Sequence, residues 1–264
     1  MRHMLTVRSR VGLACALVIA GGAFVSAQQP AQGQAAGRQG GRGGAGGGTG
    51  AARASAAPAF LKVEWVQPQG QTGQVAIVQE NVADANVEVK WYGAAATHLL
   101  TSGTPGSDTA PFTVWSGECD GPFAITFKQK SNFADLSGLG KLRWVVKTSG
   151  FHVVRPVVKL ADGTMLVGDH ADASVPMLVS NEFAFSGVRW IKLDPMRVVT
   201  LNNGGGGQNN DIWVPNPDLS KVDEIGFADL MPSSGHGTGG YIHLGTIEVF
   251  GKPVPRAAAS ASNR

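Results

Sequence analysis

The chain has 264 residues, 22 Lys and Arg against 19 Asp and Glu, two cysteines and a hydrophobic fraction of 43%. Its formal charge of +3 misleads, because the basic excess lies at the ends: between Phe60 and Gly251 there are 13 Lys and Arg against all 19 acidic residues, a net of −6. A core of that sign repels phosphate backbones, which argues against nucleic acid as a partner and is compatible with neutral ligands or divalent cations.

In chain order, Arg2, His3, Arg8 and Arg10 precede an apolar run from Val11 to Val25, and Val25-Ser26-Ala27 supplies small residues for cleavage. This pattern predicts a secretory signal peptide over 1–27. The run is too short and too rich in Gly and Ala for a bilayer span, so no membrane span is expected after cleavage. The protein is therefore expected to be exported, to the periplasm, the cell surface or the medium. Cleavage removes Cys15 and leaves Cys119, so no intrachain disulfide can form. Residues 28–58 are Gln, Gly, Ala and Arg with almost nothing to bury, which predicts a disordered linker. A flexible tail is expected over 254–264. One domain remains, residues 59–253.

That domain reads as strand almost throughout. Phe123, Ile125 and Phe127 alternate with Ala124, Thr126 and Lys128, and Leu142, Trp144 and Val146 alternate with Lys141, Arg143 and Lys147. A period of two with one wet face predicts antiparallel sheet. Further strands are expected at 61–67, 74–79, 86–92, 112–116, 153–160, 164–169, 177–185, 188–193, 196–201, 222–228 and 241–250, punctuated by Gly, Pro, Asn and Asp. Many short strands in one exported domain predict an all-β, two-sheet antiparallel β-sandwich of the jelly-roll kind.

The sharpest local prediction is a hairpin. Asp162-Gly163 reads as a two-residue turn, since both central positions need positive φ. That register sets Leu160 against Met165, Val158 against Val167, Pro156 against Asp169 and Arg155 against His170. Pro156 has no N–H, so the hairpin is expected at a sheet edge or at a bulge.

Two stretches, KTSGFHVVRPVVKLADGTMLVGDHAD (147–172) and NPDLSKVDEIGFADLMPSSGHGTGGYIHLGTIEVFGKP (216–253), resemble uncharacterised secreted bacterial proteins with a galactose-binding-like jelly-roll domain; SGTPGS, VWSGE and FADLSGLGKLRW fit the same group. The resemblance covers most of 90–253. It implies the fold and leaves function open among sugar-binding modules, other ligand modules and subunit-contact domains.

The candidate site residues come from two clusters and the tryptophans. The hairpin's open end gathers His152, Arg155, Asp169, His170 and Asp172, whose charged groups make directional hydrogen bonds to hydroxyls; a structural Arg–Asp pair is the plain alternative. Asp229 and His236 form the second cluster, His236 lying among glycines, with Asp229 as a possible orienter if His236 acts as a base. Trp213 and Trp115 sit at loop edges and offer stacking faces, whereas Trp144 is expected in the core. Glu64 and Glu248 are weak candidates for a structural Ca²⁺ if the terminal strands pair. Asp218, Asp223 and Glu224 look site-like, but Lys221 beside them is expected to balance their charge at a fold corner. The Gly204–Gly207 run lacks a following Lys and a helix, which rejects a phosphate loop. No cofactor is expected.

The sequence thus predicts a secreted, non-catalytic ligand-binding module, with carbohydrate as the favoured ligand. The alternatives are a glycan-active enzyme using His and Asp, and an assembly module binding another cell-envelope protein.

Overall fold

The computed structural model of the protein describes residues 58–93, 98–117, 119, 121–201, 212–231 and 240–256. The expected signal peptide, nearly all of the linker and residues 257–264 of the expected tail lie outside the described residues, as do His236 and the Gly204–Gly207 run. The first residues of that tail are not loose, since Val254 and Pro255 pair with Phe133 and Asn132 and Arg256 pairs with Asp223.

The strands, in chain order, are β1 (Ala59–Val63), β2 (Val87–Gly93), β3 (Leu100–Ser102), β4 (Thr113–Trp115), β5 (Phe123–Gln129), β6 (Asn132–Asp135), β7 (Lys141–Thr148), β8 (Val153–Leu160), β9 (Met165–Gly168), β10 (Asp172–Ala173), β11 (Val179–Ala184), β12 (Trp190–Asp194), β13 (Val199–Thr200), β14 (Trp213–Val214), β15 (Val222–Asp229), β16 (Ile242–Phe250) and β17 (Lys252–Pro255). They pair antiparallel in two sheets. The smaller runs β11-β7-β16-β4-β3, with β1 also on β16. The larger runs β13-β12-β9-β8-β15-β5-β2, with β10 on β8, β14 on β12, and β6 and β17 at the far end of β15. Trp144 and Val146 of β7, Ile247 and Val249 of β16, Phe123 and Phe127 of β5 and Phe227 of β15 are all buried in one cluster between the sheets. The domain is a two-sheet antiparallel β-sandwich, as expected.

In the smaller sheet the period of two is realised as read. Leu142, Trp144 and Val146 point inward, and the outer face carries a charge ladder in which Arg143 bridges Glu182 (2.6 Å) and Glu248 (3.1 Å) on the flanking strands. The larger sheet departs from it, because both its faces are buried. Ala124, Val157, Met165, Val167 and Ala228 form a second apolar cluster on the outer face, joined by Leu193 of β12 and by Val198 from the turn after that strand. Asp194 holds that turn by accepting the Met196 N–H at 2.8 Å and pairing with Arg197 at 2.8 Å.

Three expectations are corrected. The hairpin loop has three residues, not two: Gly163 takes φ +90°, the Asp162 carboxylate accepts the Thr164 N–H (2.8 Å), and Leu160 donates to the Thr164 carbonyl (2.8 Å). The extra residue at the glycine shifts the pairing by one, to Val157↔Val167, Val158↔Leu166 and Lys159↔Met165. The hairpin is also interior, with β15 on the other side of β8. Pro156 is tolerated there because it falls between the stretch of β8 paired with β9 (157–159) and the stretch paired with β10 (153–154). Finally, the expected strand at 74–79 is an irregular segment with one bridge, Ala76↔Leu100. The buried Asn81 side chain turns the chain there, accepting the Val78 N–H (2.9 Å) and donating to the Val66 carbonyl (3.0 Å).

Candidate functional site

The break in the ladder at Pro156 is what opens a site. β9 leaves β8 after Val167 and the chain returns as β10, so Arg155, paired with Ala228 of β15 on one side, faces a gap on the other. A Cβ on Gly168 would stand 2.7 Å from the Pro156 ring and 2.5 Å from Val188, so glycine is needed for the strands to meet at the edge of this gap. A cleft of about 520 Å³ opens here on the outer face of the larger sheet. Val153, Val167, Ile191 and Leu230 line it with apolar surface, and Arg155, Asp169, Arg189 and Trp213 supply its polar and aromatic groups. This size and mixture suit a small organic ligand or a short oligomer.

The charged groups are held in place. Asp169 accepts from the Arg189 backbone N–H (2.8 Å) and from its guanidinium (2.8 Å). Burial pushes the Asp169 carboxyl up, but the Arg189 contacts outweigh it and leave the group below its ordinary range. The same guanidinium lies over the Trp213 ring, 4.1 Å from its centroid, within the range of a cation–π contact. Arg189 and Trp213 also line a second cleft of about 510 Å³ on their other side, so together they form a wall between two hollows. Arg155 donates to the Asp169 carbonyl at 3.2 Å, which agrees with the corrected register.

The remaining expected residues disperse. Asp172 lies on β10 and accepts the Trp144 indole N–H (2.6 Å) and the Asn181 amide (2.8 Å), tying the larger sheet to the smaller. Burial raises its carboxyl, but His170, Trp144 and Asn181 bring it below the ordinary range. His170 stacks on Phe183 with centroids 3.9 Å apart and stands 3.6 Å from the Asp172 carboxylate. These two residues therefore serve the packing between sheets, and His170 does not face Arg155 as the two-residue turn implied. His152 is 5% exposed and its Nδ1 lies 2.5 Å from the Asp229 carboxylate, itself 1% exposed. Asp229 also accepts the Met231 N–H (3.0 Å) and lines the cleft; its described partner is thus His152. Trp115 lies on the smaller sheet, stacked on His243 at 6.4 Å and packed against Gly117, apart from the cleft.

Glu64 and Glu248 do not make the expected cation site. β1 does pair with β16, but Lys62 faces Glu248 and pairs with Glu64, while Arg143 takes Glu248. Among the described residues, no three His, Cys, Asp or Glu side chains come together in a metal-binding group.

Two features escaped the sequence reading. Arg189 was not singled out, and only its place beside Val188 and Trp190 in a strand-like run hinted at an outward position. The second is a polar knot on the outer face, built on Glu224, which is 2% exposed. Glu224 accepts from Thr126, from the Tyr92 hydroxyl (2.7 Å) and from Lys159 (3.0 Å). Burial first, and then Glu224, raise the Tyr92 hydroxyl. Lys221 balances neither neighbour: Asp223 pairs with Lys128 (3.2 Å) and with Arg256.

No protein-family model matches the chain, and no curated protein matches it. Among solved structures it is similar to a family 11 carbohydrate-binding module of a cellulosomal cellulase of Clostridium thermocellum, with 14% identity over 69% of this chain and 96% of that one, TM-score 0.39. It is also similar to a family 29 carbohydrate-binding module in complex with cellohexaose (14% identity, 64% and 94% of the two chains, TM-score 0.27) and to an exo-β-agarase (10%, 67% and 24%, TM-score 0.35). At these scores the likenesses decide neither fold nor function; the fold stands on the strand pairing of the chain itself.

Proposed function

We propose that this protein is an exported carbohydrate-binding module whose ligand lies in the cleft between Arg155 and Trp213. The observation that supports it is the convergence of an indole and two guanidiniums on an apolar floor, within one cleft of about 520 Å³. Sugar rings need that combination: apolar C–H faces to lie on aromatic and aliphatic surface, and fixed donors to meet the hydroxyls. Asp169, held by Arg189, fixes the donors' positions. The test is binding of the full chain to an immobilised glycan panel, compared with Trp213→Ala. Loss of about tenfold or more in affinity for the bound glycan, in a variant of unchanged Tm, supports the reading. Unchanged affinity, or no glycan bound by the wild type, contradicts it.

A second reading, a glycan-active enzyme, draws on the His152–Asp229 pair, since Asp229 lines the cleft. Both carboxylate oxygens of Asp229 are already occupied, by His152 and by Met231 N–H, which weighs against it as a base. Appearance of shorter products from a bound glycan, abolished in Asp229→Asn, would favour this second reading.

A further inference from the structure

Of the five arginines among the described residues, four meet a carboxylate: Arg143 with Glu182 and Glu248, Arg189 with Asp169, Arg197 with Asp194 and Arg256 with Asp223. Arg155 is the exception. It is half-buried, it lines the cleft, and its one hydrogen bond is to the Asp169 carbonyl at 3.2 Å. The exposed arginines, Arg189 and Arg197, are 68% and 69% exposed in their side chains and are nevertheless paired. The remaining N–H groups of Arg155 still reach solvent, so they are open to a ligand that brings a counter-charge.

The cleft's own carboxylates do not fill that role. Asp169 is held on both oxygens by Arg189, and Asp229 by His152 and Met231. Neither lies within ion-pair distance of Arg155. Among the described residues the guanidinium makes no further hydrogen bond, and it shares the lining of the cleft with Val153 and Val167. A planar fork of donors is matched best by a carboxylate, which it can hold through two parallel bonds; a hydroxyl satisfies one.

We infer that the cleft takes an acidic glycan, and that Arg155 grips the carboxylate of a uronic acid unit. Although the domain is acidic as a whole, Arg155 and Arg189 balance Asp169 and Asp229 in the cleft's lining, and Arg155 is the charge among them with no carboxylate partner. This rests on the cleft being a carbohydrate site. The position of Arg155 follows from the fold: its ladder partner on β15 is the small Ala228, the β9 side of β8 is unpaired beyond Val157, and the one-residue shift at Gly163 brings it to Asp169, whose carbonyl orients it.

The test is titration calorimetry of the full chain with trimers of galacturonate, mannuronate and glucuronate, each beside its carboxyl-reduced neutral counterpart. The expected result is that one uronate trimer binds about tenfold or more tighter than its reduced form. That preference weakens as salt is raised and disappears in Arg155→Gln. Arg155→Lys keeps the charge but loses the fork, and retains part of the preference. A neutral trimer binding as tightly as its acidic form overturns the inference while leaving the carbohydrate reading in place, and this comparison needs no variant. Retained preference in a folded Arg155→Gln protein also overturns it. Binding of none of the uronate trimers overturns the inference, while the carbohydrate reading stands or falls on the wider glycan panel.

Discussion

Replacing Asp172 by alanine separates a structural role from a ligand role at a residue whose sequence context suggests the latter. In the folded protein its carboxylate accepts the indole N–H of Trp144 at 2.6 Å and the Asn181 amide at 2.8 Å. Trp144 is completely buried, so the variant leaves an indole N–H with no water to turn to, at a cost of about 1–3 kcal/mol. Losing the charge-assisted bond to Asn181, which is half-buried and can rehydrate, adds about 1 kcal/mol. A total of about 3 kcal/mol corresponds to a fall in Tm of about 6–12 °C for a domain of this size. Asp172→Asn retains an acceptor for the indole and should lose about half as much. Scanning calorimetry reads both, and glycan affinity at a temperature where the variants are folded should stay within about twofold of wild type. A Tm within about 2 °C of wild type for Asp172→Ala would refute the reasoning. The carboxyl is held below its ordinary range in the fold. Its contribution is therefore complete above the unfolded value of about 3.9 and is lost as the pH falls through the lower folded value.

Three further outcomes follow from the same geometry. His243 is pushed down to about 4, by burial and by the neighbouring Lys147 ammonium; the unfolded chain therefore takes up the proton first, and stability should fall as the pH drops from about 6.5 to 4, by roughly 1–2 kcal/mol after solvent screening. An NMR titration placing this ring near its ordinary value would contradict that. Gly163→Ala puts a side chain at φ +90° with no steric neighbour to move, and should cost about 1 kcal/mol in urea unfolding; no loss would mean that the loop has a different conformation. His152→Ala leaves the buried Asp229 carboxylate without its ring partner and should cost about 3 kcal/mol, whereas a loss under about 1 kcal/mol would show that the pair is weakly coupled.

The sandwich is legible because short apolar runs bounded by Gly, Pro, Asn and Asp mark the strands, and in the smaller sheet one buried face enforces a period of two; the bounds of β8 agree to the residue, and those of β5, β7 and β16 within one. What failed was what pairing alone decides. A two-residue and a three-residue turn at Asp162-Gly163 differ by one residue in loop count, yet that residue moves Arg155 from His170 to Asp169. The buried outer face of the larger sheet is illegible because Ala124 and Thr126 look like exposed positions until Tyr92 and Val198 pack on the cluster that holds Ala124 and Glu224 takes the Thr126 hydroxyl. Glu224 meets its partners across 65 to 132 residues, and no local spacing signals such contacts. Arg155, Asp169, Asp229 and Trp213 were singled out for their chemistry and do line one cleft; His170 and Asp172 shared that chemistry but lie where the chain crosses between sheets.

The most direct measurement is chemical-shift mapping of isotope-labelled protein titrated with the tightest-binding glycan of the panel. A ligand in the proposed cleft should perturb the amides of Val153–Arg155, Val167–Asp169 and Arg189–Ile191 together with the Trp213 indole, and leave the smaller sheet near Trp115 and His243 unmoved. Perturbations centred on Trp115 and His243, with the Arg155 and Trp213 signals unchanged, would place the ligand on the opposite sheet and contradict the proposed site.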